Sequence, residues 1–148
     1  MGKIYLLEQR KFYYIDVNDN ENVEDNFIIG YFTADKIIKA KNYCIDKGIS
    51  EKELFVEEYD FQFKKNRKYV YILMYEYSRV CSNDQFEDYY YKFQPMHSRK
   101  DCLVLKKQLL NEEKYQKTLD KIYNSKDGFF IDKIEINFMS HVDYCLID

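Results

Sequence analysis

The stretch Leu-Phe-Val-Glu-Glu-Tyr-Asp-Phe at residues 54–61 returns in chemical type at residues 129–136, as Phe-Phe-Ile-Asp-Lys-Ile-Glu-Ile. Two further pairs of segments match in the same order: residues 4–7 with residues 70–73, and residues 32–37 with residues 97–102. Self-similarity in a fixed order is typical of repeat architectures. We therefore predict two diverged copies of one unit, with an insertion in the second copy between Leu109 and Gly128.

The first copy reads as strand, strand, helix, strand. Strands are predicted at residues 3–9, 27–32 and 54–59, where apolar and polar residues alternate or β-branched and aromatic residues cluster. The predicted helix is capped by Thr33, stopped at Gly48, and places four side chains with apolar atoms on one face: Ile37, Ala40, Lys41 and Cys44.

The second copy repeats this order. Strand patterns cover residues 69–77 and 86–94, and Pro95 fits the end of the latter because proline has no N–H for a ladder. Ser98 is the predicted cap of a helix that carries Cys102, Leu105 and Leu109. The insertion adds Tyr115, Leu119 and Ile122 at helical spacing, and a short further strand is predicted at 142–147.

These patterns predict an α+β fold. It is a tandem β-β-α-β repeat with pseudo-twofold symmetry, in which helices pack on a mainly antiparallel sheet. The copies would occupy residues 3–63 and 68–138, followed by a C-terminal tail at 139–148. Because residues 64–67 are too few for a flexible linker, we predict that 1–148 forms one compact domain, the alternative being two abutting lobes.

The composition indicates a globular chain with a real core. Of 148 residues, 46% are hydrophobic and 18% are aromatic. The net charge of −3 does not favour a nucleic-acid partner, which normally meets a basic surface. No apolar run is long enough for a membrane span, and no secretory-type apolar segment follows the start. We therefore expect a cytoplasmic protein of a bacterial host cell, without a membrane partner.

Two residue classes indicate the source and the redox state of the chain. Phe, Tyr, Ile, Asn and Lys are abundant while there are 4 glycines and 1 proline, which indicates AT-rich coding, as in a low-GC bacterium or one of its phages. The four cysteines show no CxxC spacing, so we expect reduced structural thiols at these positions: Cys44, Cys81, Cys102 and Cys145.

Tyrosine is the leading candidate for function, with 16 copies in the chain. In strand 69–77, Tyr69, Tyr71, Tyr75 and Tyr77 share one face with Leu73, and aliphatic residues occupy the other face. Tyr89 lies in the neighbouring strand. Tyrosine combines a large contact area with a polar tip and is enriched at protein interfaces. We predict that this tyrosine stripe meets a foreign protein or a second copy, the alternative being burial within the chain.

A run of acidic residues at 16–25 forms the second candidate. It opens like a calcium loop, yet Glu21 stands where the loop needs glycine, and Phe27 stands where it needs a bidentate glutamate. We expect no metal there, but a solvated acidic loop that can face a basic partner. Its candidate residues are Asp16, Asp19, Glu21, Glu24 and Asp25.

Motifs of catalysis and of cofactor binding are lacking in the sequence. The glycines at positions 2, 30, 48 and 128 form neither G-x-G-x-x-G nor a Walker loop. His97 and His141 do not combine with the cysteines into a zinc set, and capping explains Ser98 better than nucleophilic catalysis does. We therefore expect neither catalytic residues nor a cofactor.

Two short strings carry a resemblance. Ile29-Gly30-Tyr31-Phe32-Thr33 and Gly128-Phe129-Phe130-Ile131-Asp132, each beside a predicted helix, are similar to an uncharacterised short domain of bacterial and phage genomes. The resemblance implies a β-β-α-β unit and no activity, so no functional residue is carried over.

Three functions remain open at this point. The first is a non-enzymatic protein-binding module, such as a phage or mobile-element inhibitor of a host defence complex (anti-CRISPR-like), that occludes a surface of a larger protein. The second is an immunity protein that neutralises a toxin, which the acidic loop would suit. The third is a small-ligand-binding or enzymatic domain that uses the groove between the copies.

Overall fold

A computed structural model of the chain describes residues 2–14, 22–80, 86–112 and 128–147. Its helices and strands are β1 (Lys3–Tyr14), β2 (Asn22–Phe32), α1 (Ile37–Asp46), β3 (Leu54–Asp60), β4 (Tyr69–Val80), β5 (Phe86–Lys92), α2 (Arg99–Leu109) and β6 (Phe129–Glu135). A single 3-10 turn, Glu51–Glu53, precedes β3. The helical insertion predicted after Leu109, with Tyr115, Leu119 and Ile122, lies outside the described residues.

The chain divides into two compact units. Unit 1 comprises Met1–Lys68 and Ile134–Asp148, and unit 2 comprises Tyr69–Lys133. The first boundary coincides with the predicted junction of the copies at residues 64–67. The second boundary falls inside β6, so the last residues of the predicted second copy group with unit 1.

Two antiparallel three-stranded sheets form the framework, with strand orders β2-β1-β3 and β5-β4-β6. The α+β fold with antiparallel strands and packed helices is thus confirmed, although the strands form two sheets. In each sheet the earliest strand lies in the middle, flanked by the strand that follows it and by the strand that follows the helix. The duplication and its twofold symmetry stay predictions.

Unit 1 has its core between the sheet and α1. Alternation along β1 places Tyr5 and Leu7 towards the helix, and a bulge opposite Leu7 and Glu8 lets Ile29 join them. The helix contributes three of the four side chains predicted from its spacing, while Lys41 is only partly buried and lies outside the core. The buried core residues are Leu7, Ile29, Phe32, Ile37, Ala40, Cys44, Leu54 and Met139.

Unit 2 has a smaller core of the same kind. Helix α2 buries Cys102 and Leu109 against Leu73, Tyr75 and Phe129 of the sheet. Pro95 follows the end of β5, as predicted, and the chain then re-joins β4 through a pair of hydrogen bonds between Tyr71 and Met96. The helix thereby covers the tyrosine-bearing face of β4.

The two helices begin differently. Ser98 caps α2 as predicted, because its Oγ accepts a hydrogen bond from the N–H of Asp101 at 3.1 Å. The predicted cap at Thr33 is wrong: α1 starts after Lys36, without a side-chain cap. The Thr33 hydroxyl instead donates to Asp35 at 2.6 Å, while its backbone N–H donates to the Asn137 side chain.

Helix α1 ends as the sequence predicts. Gly48 has φ +96°, and its N–H donates to the carbonyl of Ile45, while the N–H of Ile49 donates to the carbonyl of Cys44. This pair of bonds is the Schellman arrangement, which needs a residue in the left-handed region and favours glycine there. Ile49 then packs against the core, so the turn aims the chain into β3.

The C-terminal segment packs onto unit 1. Met139 is fully buried in the core, and the N–H and Oγ of Ser140 both donate to the carbonyl of Ile29. Residues 142–147 form no strand; they return through a turn and make a single bridge, Phe138 with Leu146. The short strand predicted there is therefore wrong: the segment makes only this bridge, with backbone hydrogen bonds from Met139 to Cys145 and from Ile147 to Asn137 on either side of it.

Candidate functional site

The tyrosine stripe splits between core and surface. Tyr75 is 1% exposed, and its ring lies 4.7 Å from that of Phe129, between the sheet and α2. Tyr71 is half-buried against the same core. Tyr69 remains 38% exposed, with the Nζ of Lys133 4.2 Å from its ring centroid. Of these three side chains, Tyr69 is the one most open to a partner.

The strand register continues the stripe onto β5. Tyr75 pairs with Tyr91 and Tyr77 pairs with Tyr89, so the four positions form a two-by-two block on one face of the sheet. Tyr91 is 51% exposed. The side chains of Tyr77 and Tyr89 lie outside the described part, and their contacts stay predictions.

Tyr91 was missed as a candidate by the sequence analysis. It belongs to the run Tyr89-Tyr90-Tyr91, in which alternation alone cannot tell which members face the stripe of β4. The register decides that Tyr91 does, since it lies opposite Tyr75. A hairpin register inferred from the Tyr-x-Tyr spacing of both strands was the signal that could have found it.

Helix α2 presents apolar side chains on its outer side. Leu103 is 44% and Val104 is 52% exposed, although both follow Cys102, which is buried in the core. Unit 2 therefore offers two partly exposed tyrosines and two exposed aliphatic side chains besides the ones it uses for folding. Exposed apolar groups of this kind are typical of protein contact surfaces when they form a contiguous patch.

The acidic candidates lie mostly outside the described residues. Asp16, Asp19 and Glu21 belong to residues 15–21, which the structure does not describe. Glu24 is in β2 opposite Phe12, without a described side chain, and Asp25 is exposed opposite Lys11. The prediction that this loop meets a basic partner, and with it the immunity-protein function, stays a prediction.

A buried ionic cluster in unit 1 was not anticipated. Glu8 is 1% exposed, and the guanidinium of Arg10 lies 3.3 Å from its carboxylate and 2.9 Å from that of Glu57. Arg10 also stacks 4.4 Å from the ring centroid of Phe55, and the Tyr59 hydroxyl donates to Glu57 at 2.5 Å. Burial, with the Glu57 bond second, raises the pKa of Tyr59.

The arrangement of this cluster indicates a structural role. Arg10 supplies a counter-charge to Glu8, and a buried carboxylate without one costs several kcal/mol. The raised pKa of Tyr59 keeps its hydroxyl protonated, so it can donate but not act as a base. The fixed pairing of β1 with β3, in which Leu6 lies opposite Glu57, holds the members in place.

A second polar cluster ties the C-terminal segment to α1. The Tyr43 hydroxyl donates to Asp143, and the Nζ of Lys47 lies 3.1 Å from the same carboxylate. These two partners, Tyr43 first, hold the pKa of Asp143 below its ordinary value. Cys145 lies 3.7 Å from the Tyr43 oxygen through its Sγ. The cluster is exposed and links the C-terminal segment to the last turn of α1.

Two of the described cysteines lie in the cores of the units. Cys44 and Cys102 are fully buried on the inner faces of α1 and α2, and burial raises the pKa of each to about 11. A thiol with so high a pKa carries almost no thiolate near neutral pH and is a poor nucleophile. Cys81 lies outside the described residues.

His141 stacks on an aromatic ring rather than joining a ligand set. Its imidazole lies parallel to Phe27, with ring centroids 4.6 Å apart. Burial, and second the nearby Lys11, lower its pKa below the ordinary value of 6.5. Among the described residues, no three His, Cys, Asp or Glu side chains converge as a metal site would require.

Comparisons with known proteins leave the family open. The chain matches no protein-family model, and neither the curated proteins nor the solved structures contain a match to it. None of the helices within the described ranges is long and apolar enough to cross a membrane.

Proposed function

We propose that the chain is a non-enzymatic protein-binding module that acts by occupying a surface of a larger partner. The observation that carries this proposal is the tyrosine block of β4 and β5, in which Tyr91 is half exposed beside the buried Tyr75. A tyrosine offers a large contact area and has only two side-chain torsions to order on binding. Large, partly rigid tyrosines are frequent anchors of binding energy.

The contact surface in this proposal is the exposed part of unit 2. It comprises Tyr69 and Tyr91 of the sheet and Leu103 and Val104 of α2. This set offers aromatic and aliphatic area, which is typical of the centre of a protein interface. Tyr75 supports the surface from the core and does not itself reach a partner.

The specific form that we propose is an inhibitor encoded by a phage or mobile element, directed at a host defence complex in the cytoplasm, as an anti-CRISPR protein is. Small size, AT-rich composition and a tyrosine surplus support it. An inhibitor of this kind needs an interface and no catalytic group. A homodimer through the same surface is the competing assembly.

The test compares two exposed tyrosines. Tagged wild-type protein is expected to recover one large partner, or the components of one complex, at stoichiometric level from its native host. Tyr91→Ala should weaken that recovery at least about tenfold, since hot-spot tyrosines contribute 2 kcal/mol or more. Tyr144→Ala is the matched control, because Tyr144 is 69% exposed in unit 1 and outside the proposed surface.

Three outcomes would contradict the proposal. Equal losses for Tyr91→Ala and Tyr144→Ala would show that the tyrosine block is not the contact surface. Self-association alone, measured by light scattering and abolished by Tyr91→Ala, would assign the surface to a dimer. Undiminished CRISPR–Cas interference against a targeted plasmid, with the protein co-expressed, would remove the anti-CRISPR form.

A further inference from the structure

Unit 1 contains a cavity that is independent of the proposed contact surface. Its volume is about 400 Å³, within the range of small-molecule sites. The lining combines hydroxyl, amide, cationic, anionic and apolar groups: Thr33, Phe63, Arg67, Lys68, Glu135, Ile136, Asn137, Leu146 and Ile147. The mixture is informative because each class of group would meet a different part of one small ligand.

Asn137 is the most constrained residue of this lining. It adopts φ +64°, in the left-handed region, where asparagine is among the few residues tolerated. Its backbone N–H donates to Tyr31, its carbonyl accepts from Ile147, and its Oδ1 accepts from the Thr33 N–H at 2.9 Å. All three bonds stay within unit 1 and fix the residue at the cavity wall.

The bond from Thr33 also fixes the orientation of the Asn137 amide. Because a backbone N–H can donate only to an acceptor, the atom that it meets must be the oxygen, which leaves Nδ2 as the other end. Nδ2 makes no hydrogen bond to any residue that the structure describes. The two N–H groups of Nδ2 are therefore held in position at the cavity and have no partner among the described residues.

Three charged side chains line the cavity: Arg67, Lys68 and Glu135. Arg67 interacts with another group of the protein, whereas neither Lys68 nor Glu135 takes part in an ion pair within the described ranges. A backbone hydrogen bond brings Lys68 and Glu135 near each other. The N–H of Ile136, the residue after Glu135, donates to the carbonyl of Lys68 at 2.7 Å. A ligand with both an anionic and a cationic group would complement both side chains.

Apolar side chains form the third part of the cavity lining, besides the amide and the charged groups. Phe63 packs edge-on against Phe61, with ring centroids 5.1 Å apart, and remains 39% exposed. Leu146 is 57% exposed on the same cavity. Apolar side chains that stay open at a cavity gain free energy when a hydrocarbon group covers them, at about 25 cal/mol for each Å² removed from water.

We propose that this cavity binds a free, apolar α-amino acid. Lys68 and the Asn137 Nδ2 receive the carboxylate, and Glu135 receives the ammonium group. The hydrocarbon side chain lies against Phe63 and Leu146. A plain carboxylic acid would leave Glu135 unmatched, and a simple amine would leave Lys68 unmatched, so the zwitterion is the class that fits both charges.

Calorimetric titration of the full chain tests the three parts of the ligand separately. The probes are L-leucine, L-phenylalanine, N-acetyl-L-leucine without the ammonium, L-leucinamide without the carboxylate, and L-serine without the apolar group. We expect leucine or phenylalanine to bind at least about tenfold more tightly than each of the last three, equivalent to 1.4 kcal/mol per missing part.

Variants of the lining assign the charges. Glu135→Gln should make leucine and N-acetyl-leucine bind equally, and Lys68→Ala should do the same for leucine and leucinamide. Asn137→Asp keeps the oxygen that Thr33 needs and replaces Nδ2 by an anion, so it should abolish leucine binding while circular dichroism stays unchanged. Lys52→Ala, an exposed lysine of the 3-10 turn outside the cavity, should bind as wild type.

Each remaining outcome overturns the assignment. Absence of binding for both apolar amino acids at millimolar concentration would show that the cavity is not a site for them. If the wild type bound N-acetyl-leucine and leucinamide as tightly as leucine, the site would not select a zwitterion. Unchanged selectivity in the folded Glu135→Gln and Lys68→Ala variants would place any binding elsewhere. None of these results bears on the tyrosine surface of unit 2.

Discussion

At the scale of single residues, Gly30 is a position where an added side-chain atom would clash with the backbone. A Cβ at this position would lie 2.4 Å from the carbonyl oxygen of Phe138 and 2.9 Å from the ring of Phe32. Real Cβ atoms do not approach backbone oxygen so closely, so the segment after β6 would have to move. We expect Gly30→Ala to lower the free energy of unfolding by about 3 kcal/mol, measured by urea denaturation.

Gly48 provides the matched control for this substitution. Nothing lies within 4 Å of a Cβ at Gly48, and its cost comes only from φ +96°. Gly48→Ala should therefore cost about 1 kcal/mol, the penalty of the left-handed region. If both variants lost the same amount, the close approach at Gly30 would not be limiting.

His141 gives unit 1 a pH dependence of definite sign. Its folded pKa lies below the unfolded value of 6.5, through burial and then through Lys11, so the unfolded chain binds the proton more readily. Stability should therefore fall as the pH drops below 6.5 and should be fully present above it. His141→Phe keeps the stack on Phe27 and removes the titration.

The measurement is the midpoint of urea unfolding between about pH 7 and pH 5.5, where most carboxylates stay ionised. The wild type should lose stability across this interval, and His141→Phe should lose less. A steeper loss in His141→Phe than in the wild type would show that the imidazole is not the titrating group.

At the scale of helices and strands, the contribution of the capping serine of α2 to the free energy of unfolding can be measured separately. Ser98 accepts from the N–H of Asp101, whereas Ser50, which precedes the 3-10 turn, makes no capping bond through its side chain. Ser98→Ala should cost about 1 kcal/mol and Ser50→Ala close to nothing, in the same unfolding assay. A loss for Ser50→Ala as large as for Ser98→Ala would refute capping as the cause.

The elements themselves were largely predictable from the sequence. Period-two alternation locates β1, β3 and β4, and helical spacing locates the inner faces of both helices, because burial of one face enforces these periods. Thr33 misled because α1 begins only after Lys36, without a side-chain cap. The backbone N–H of Thr33 donates instead to the side chain of Asn137, a partner far along the chain that no local pattern reveals.

The candidate site was predictable only in part. A face of tyrosines can be read from β4, yet the side of the sheet that α2 covers depends on tertiary packing, which placed Tyr75 in the core. Tyr91 required the register of the hairpin. The cavity beside Asn137 joins residues that are far apart in the chain, so no local pattern could have indicated it.

At the scale of the whole molecule, the end of the chain completes the first unit. Met139 lies in the same core as Leu7 and Cys44, and residues 142–147 pack around it through Val142, Cys145 and Ile147. Asp143 adds a hydrogen bond with Tyr43 and an ion pair with Lys47. A simple tandem array, in which each copy folds from its own consecutive residues, would not use the chain in this way.

Removing residues 139–148 should therefore destabilise unit 1 and expose Cys44. That thiol is fully buried, with a pKa raised to about 11 by burial, and it should react slowly with a thiol reagent in the intact chain. In the truncated chain we expect faster labelling of Cys44, read by peptide mass spectrometry, while Cys102 in unit 2 keeps its rate as the internal control.

Met139→Ala tests the same idea without deleting backbone. It should cost about 3 kcal/mol, the usual loss for a buried methionine, and should also speed the labelling of Cys44 selectively. Equal acceleration at Cys44 and Cys102 would mean that both units open together. Unchanged labelling at both cysteines, in a truncated chain that still unfolds cooperatively, would show that unit 1 folds without its C-terminal segment.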